Sequence, residues 1–242
     1  MDDADRDRDR DADRGRDRDR DRDRDEGMVW YAAYGSNMDA RRLATYIAGG
    51  RPPGGSRSYP GCRDRRLPDR AVPLLLPGLL YFALESRVWT GGLGFYDPAQ
   101  PGEMPARAYL VTPQQLADIA AQEMHRAPGA DLPLSLALAR GTDRLGPGRY
   151  ETLVCPGMLD GRPVYTLTAP WSLADADLNP PSAGYLANFA AGLADAHGWR
   201  LDRSAVYLAT RPGAAGHWTA GSVMEALRAA AEDGTSALDK PP

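Results

Sequence analysis

The sequence is short of several residues on which reactive sites are often built. One lysine, Lys240, stands against 28 arginines. Together with abundant Ala, Gly and Pro, that ratio reads as coding composition and not as a function. The two cysteines, Cys62 and Cys155, lie far apart and form no Cys-x-x-Cys pair. A disulfide framework and a thiolate metal site are therefore not expected. The three histidines, His125, His197 and His217, have no second histidine nearby, and no His-Glu-x-x-His occurs. A zinc hydrolase or zinc deacetylase would need a carboxylate–histidine cluster, so neither a metal nor a cofactor is expected. There is no Gly-x-Ser-x-Gly elbow and no Gly-x-x-x-x-Gly-Lys-Ser/Thr phosphate loop. No apolar run approaches the ~18–20 residues of a membrane span. The N-terminus lacks the apolar region of a signal peptide, and the chain reads as cytoplasmic.

Charge is plentiful but balanced. Residues 1–27 are nearly pure Asp/Arg alternation, with no apolar side chain larger than Ala after Met1. Such a stretch buries too little apolar surface to offset chain entropy and is expected to be disordered. Met28 is an alternative start. Of the chain's 33 acidic and 29 basic residues, 13 and 9 fall in this tail, leaving 20 of each beyond it. That balance gives no electrostatic case for nucleic acid or a membrane as partner. The expected division is a tail over 1–27, one domain over 28–212 with an insertion at about 125–149, and a C-terminal helical extension over 213–242. The domain is long enough for one sizeable core.

"MVWYAAY" (28–34) reads as a strand buried on both faces. "MDARRLATYI" follows as a helix with Leu43, Tyr46 and Ile47 on one face, and residues 49–70 read as loop. "AVPLLLPGLLYFALES" suggests strands broken by Pro73 and Pro77. "VWTGGLGFYDP" reads as an aromatic strand edge with a glycine turn, and "PARAYLVT" as a strand. "TPQQLADIAAQEM" is a helix with Thr112 as N-cap, Pro113 at the first position and Gln115 completing a capping box. "LPLSLALA" suggests a short helix. "RYETLVC" and "RPVYTLTA" read as strands joined around "PGMLDG". "SAGYLANFAAGLADAHG" is a helix ending at Gly198. "AVYLATR" reads as a late strand and "TAGSVMEALRAAAEDG" as a terminal helix. Strands and helices without regular βαβ alternation point to an α+β fold.

Four features carry candidate chemistry. Gly35-Ser36-Asn37 turns the chain between strand and helix. It reads either as ordinary helix capping or as backbone N–H groups presented to an anion. Glu123 shares a helix face with Ile119 and Leu116, four and seven residues before it. Such a carboxylate is either paired with an arginine or desolvated and raised toward proton-transfer range. Asp118 and Gln122 fall on faces expected to be more exposed. Tyr185, in the first turn of its helix, is either core or a hydroxyl reaching a pocket. "WTGG" (89–92) is a hairpin turn or a close backbone approach to the 34–37 turn.

In this order the features resemble the γ-glutamylcyclotransferase family: Tyr-x-x-Tyr-Gly-Ser-Asn, then Trp-Thr-Gly-Gly, then a helix ending in an inward Glu, then Pro-Pro-Ser-Ala-Gly-Tyr opening a helix. The resemblance spans roughly residues 28–198. It implies a small mixed β-barrel or sheet surrounded by helices. It also implies cyclisation of a γ-glutamyl amide to 5-oxoproline without a cofactor. By position, Tyr31, Tyr34, Gly35, Ser36 and Asn37 would bind substrate, Glu123 would be the general acid/base and Tyr185 would complete the pocket. The family's Leu-Asp-x-x-Glu-Gly is here Ile119-Ala120-Ala121-Gln122-Glu123-Met124. About 25 extra residues then precede the next strand. These departures keep two alternatives open, a non-catalytic small-molecule-binding or interaction module of the same fold and a related acyl-amide hydrolase.

Overall fold

The computed structural model describes residues 27–51, 58–86 and 89–238. All but the last residue of the expected 1–27 tail and part of the 49–70 loop lie outside these residues. The centre of the molecule is β1 (Val29–Ala33), buried along its whole length. It pairs antiparallel with β5 (Glu103–Val111) and parallel with β8 (Arg162–Thr168). The sheet has six strands. With β2 (Ala71–Pro77), β6 (Thr142–Arg144) and β7 (Thr152–Leu159) its order is β2-β5-β1-β8-β7-β6. A separate hairpin joins β3 (Leu79–Ala83) and β4 (Leu93–Asp97). The fold is α+β, as the element pattern implied.

Alternate residues of β1 face opposite ways, which is why the strand is apolar without interruption. Val29, Tyr31 and Ala33 share a core with Leu43 and Ile47 of α1 (Ala40–Ala48) and with Leu116 and Ile119 of α2 (Pro113–Glu123). Trp30 and Ala32 face a second core, shared with Phe189 and Leu193 of α4 (Ala183–His197) and Leu208 of α5 (Leu201–Ala209). Val223 and Leu227 of α6 (Ala220–Leu238) belong to the same cluster. A short α3 (Leu134–Arg140) lies in the inserted stretch.

Several local expectations change. Pro73 and Pro77 do not break the strand. Both sit in β2, an edge strand, where a missing N–H costs no ladder bond on the open side. The break falls at Gly78, whose φ is 120°. β7 likewise runs through Pro156 and Gly157, absorbing them in a register shift between Val154 and Gly157. "AVYLATR" is not a strand but the end of α5. Ser204, Ala205, Leu208 and Ala209 are buried at helical spacing, while Val206 is exposed.

Asp118 and Gln122 are buried rather than exposed, because α2 is covered on all sides. The Arg63 guanidinium Nε and backbone N–H both donate to the Asp118 carboxylate, at 2.8–3.1 Å. Gln122 Nε2 donates to the Tyr46 carbonyl at 2.9 Å. Loop 60–66 forms the cover that the helical pattern of α2 alone did not reveal.

Candidate functional site

The parallel strands β1 and β8 end side by side, and a cavity of about 60 Å³ opens at their C-terminal ends. Its wall holds every site residue expected from the sequence: Tyr31, Tyr34, Gly35, Ser36, Asn37, Glu123 and Tyr185. Strand β1 brings Tyr31 and the turn that follows it. The last residue of α2 brings Glu123, and the first turn of α4 brings Tyr185.

The turn is not a helix cap. Asp39 caps α1 by accepting from the Arg41 N–H at 2.8 Å. Residues Ser36–Met38 form a single 3-10 turn with no side-chain cap. The Asn37 side chain is 4% exposed, and its Nδ2 donates to Glu123 Oε1 at 2.8 Å. Asn37 Oδ1 is buried with no hydrogen-bond partner among the described residues. The turn is pinned from behind, since Tyr109 Oη donates to the carbonyls of Asn37 and Met38 at 3.0 Å. Tyr34 Oη donates to the Leu167 carbonyl at 2.9 Å, tying the turn to β8. Gly35 has φ −105°, and a Cβ there would meet only Phe189, at 4.0 Å. Crowding does not demand glycine there, and the missing side chain leaves room inside the cavity.

Burial pushes the Tyr185 hydroxyl up to about 12, opposed by the Gly94 N–H, which donates to it at 3.3 Å, and reinforced by the negative charge of Glu123. Burial and then Glu123 also raise Tyr31 far above the ordinary phenol range. The cavity is thus lined by protonated hydroxyls around one half-buried carboxylate.

Tyr150, Gly94, Ala32, Thr166 and Leu167 also line the cavity and were not singled out from the sequence. Tyr150 follows the insertion directly. Its ring stacks on Phe95 at 5.0 Å, its Oη donates to the Gly94 carbonyl at 2.9 Å, and its φ is +62°. A left-handed backbone at a bulky residue is costly and needs support from its surroundings. That support comes from Glu151, buried and ion-paired with Arg126 at 2.6 Å. The tyrosine at the head of "RYETLVC" was the only sequence signal for it.

"WTGG" does not approach the 34–37 turn. Gly91 and Gly92 lie against the Asn179–Ser182 backbone, where the Gly92 N–H donates to the Pro180 carbonyl at 2.8 Å. A Cβ at Gly92 would overlap the Asn179 carbonyl. Trp89 instead stacks on Tyr185 at 5.6 Å. Among the described residues no group of three or more His, Cys, Asp or Glu could hold a metal, and no helix is long and apolar enough to cross a membrane.

Against this geometry stand the comparisons with known proteins. No family model matches the chain. In an alignment 193 residues long that covers 72% of the chain, it is 30% identical to histone deacetylase 5 of Arabidopsis thaliana, and it spans 29% of that protein's length. Two solved structures are similar at 14% identity. One is an uncharacterized human protein, with 82% of this chain and 99% of that one covered and a TM-score of 0.46. The other is a gamma-glutamyl cyclotransferase, with 84% and 99% covered and a TM-score of 0.45.

Proposed function

We propose that the protein cyclises a γ-glutamyl amide to 5-oxoproline and releases an amine. One observation carries the reading: Glu123 meets Asn37 of the Tyr-Gly-Ser-Asn turn at 2.8 Å inside a cavity that also holds Tyr31, Tyr34 and Tyr185. Residues 86 positions apart in sequence converge there on a single carboxylate.

The reaction needs one proton to move and one bond to exchange. The substrate's α-amino nitrogen attacks its own γ-carbonyl carbon, forming the ring C–N bond, and the original amide C–N bond breaks. Glu123 accepts the proton lost by the attacking nitrogen and returns one to the departing nitrogen, so that no proton is gained or lost overall. Asn37 Nδ2 fixes the orientation of that carboxylate. The first N–H groups of the 35–37 turn have no acceptor within their own turn of helix. They suit either the substrate's α-carboxylate or the oxyanion that develops on the carbonyl. Because attack is intramolecular, proximity supplies much of the acceleration and modest acid/base help suffices.

The test supplies purified protein with γ-glutamyl dipeptides, γ-glutamyl amines and glutathione and measures 5-oxoproline. Glu123→Gln should lower the rate by about 10²-fold or more. Undiminished product in that variant would remove Glu123 from the role. Free glutamate in place of 5-oxoproline would make the protein an amide hydrolase. Binding with no product from any substrate would make it a binding module.

A further inference from the structure

Glu123 and Tyr150 both line the cavity, while the described residues 124–149 between them do not. The inserted stretch thus leaves the cavity wall at one residue and rejoins it at the other. Its two ends are clasped together. The Arg126 N–H donates back to the Ala121 carbonyl of α2 at 2.7 Å, and the Arg126 guanidinium donates to Glu151 Oε1 at 2.6 Å. Glu151 Oε2 accepts from the Gly148 N–H at 3.0 Å. A Cβ at Gly146 would overlap that oxygen, so the carboxylate fills a slot that glycine leaves open. The Glu151 side chain is 10% exposed. A buried carboxylate bonded at both oxygens holds its partner far more firmly than a surface ion pair does. Beside it, the Tyr150 Oη donates to the Gly94 carbonyl, and the Gly94 N–H donates to the Tyr185 Oη at 3.3 Å. Gly94 thus links two cavity hydroxyls, and its other neighbour in the chain of contacts is the clasp.

We infer that Arg126 and Glu151 are positioning residues: by closing the neck of the insertion they hold Tyr150, and through Gly94 also Tyr185, in place around a substrate reacting at Glu123. This rests on the cyclotransferase reading above. Neither member of the pair lines the cavity, so neither acts by touching substrate. Breaking the pair leaves the Glu151 carboxylate buried without its counter-charge. It also frees Tyr150 to relax from its left-handed backbone, φ +62°, toward an ordinary one. In a cavity of about 60 Å³ a shift of the wall by about 1 Å is enough to misalign a reacting group, which costs up to about 10²-fold in rate.

The test has a kinetic arm and an arm that needs no turnover. At temperatures where circular dichroism shows the protein folded, Arg126→Ala should lower kcat for 5-oxoproline formation by about tenfold or more, with a smaller change in KM. Arg126→Lys should regain most of the loss. In Tyr150→Phe protein, which lacks the hydroxyl through which the pair acts, Arg126→Ala should cost less than about twofold. An equal loss in both backgrounds overturns the inference, as does an unchanged kcat in folded Arg126→Ala protein. If Arg126→Ala does not fold, Glu151→Gln breaks the same charge pair in the same slot and is read the same way. In the second arm, amide hydrogen exchange at Gly94 and over residues 148–151 should quicken by about tenfold or more in Arg126→Ala, while the amides of β1 and β5 keep their protection. Quickened exchange at Gly94 sustains the pair's positioning role even if the wild-type protein forms no 5-oxoproline, an outcome that removes the cyclotransferase reading alone. Unchanged exchange at Gly94 overturns the pair's role even if cyclisation proceeds.

Discussion

At the scale of single residues, Asn37 explains what the Tyr-Gly-Ser-Asn turn is built for. An Asp or Ser at that position could cap a helix, but Asp39 already does so. A serine or aspartate there would not place an amide N–H against the Glu123 carboxylate, as the Asn37 Nδ2 does. Asn37→Ala should therefore cost about 1–2 kcal/mol of transition-state stabilisation, roughly tenfold in kcat, with a smaller change in KM. Steady-state kinetics on a γ-glutamyl dipeptide measure it. A change confined to KM would assign Asn37 to substrate binding alone. A second residue sets a pH dependence. Burial holds the His197 pKa below its ordinary 6.5, partly offset by the Ala106 carbonyl 2.9 Å from Nε2. The folded protein thus favours the neutral ring, and the unfolded chain takes up a proton first as pH falls through 6.5. Stability from this site is whole above that pH and declines below it. Melting temperatures between pH 5 and 7.5 should fall more steeply for the wild-type protein than for His197→Gln.

At the scale of elements, the cavity depends on how closely the 89–92 turn meets the segment that opens α4. Ser182 caps α4 by accepting from the Tyr185 N–H, and Gly92 lets the backbone of 179–182 pass without a clash. Gly92→Ala should destabilise the fold by about 1–3 kcal/mol through overpacking. It should also displace Trp89 and Tyr185 from their stack, read as a change in tryptophan fluorescence. Elements with local codes were legible in the sequence. The Thr112–Gln115 capping box, the apolar stripe of α1 and the glycine stop at Gly198 all act within a few residues. Elements shaped by distant partners were not. Asp118 looked exposed because nothing near it in sequence announces Arg63. "AVYLATR" looked like a strand because Val and Tyr favour one, until α5 is seen packed with α4 and α6. The candidate site divides the same way. Asn37, Glu123 and Tyr185 stand at element ends where motifs are readable, whereas Tyr150 is placed by Arg126 and Glu151 across an irregular insertion.

At the scale of the molecule, the site is a product of both cores. Tyr31 and Glu123 hang from the α1–α2 side of the sheet, and Tyr34 and Tyr185 from the α4–α6 side. The terminal helix α6 is distant in sequence from every cavity residue but shares the second core. Leu227 is 4% exposed and clusters with Trp30, Phe82 and Phe189. Phe189 in turn contacts the ring of Tyr185 at 5.0 Å. Loss of packing in α6 therefore reaches the cavity only through cooperative loosening of this core. Leu227→Ala should cost about 2–4 kcal/mol of stability and lower the melting temperature by roughly 5–15 °C. At temperatures where the variant stays folded, kcat and KM should match those of the wild-type protein. Near its lowered midpoint, 5-oxoproline formation and near-ultraviolet circular dichroism should disappear together. Activity lost well before the dichroism signal would mean that α6 touches the site by some route other than the shared core.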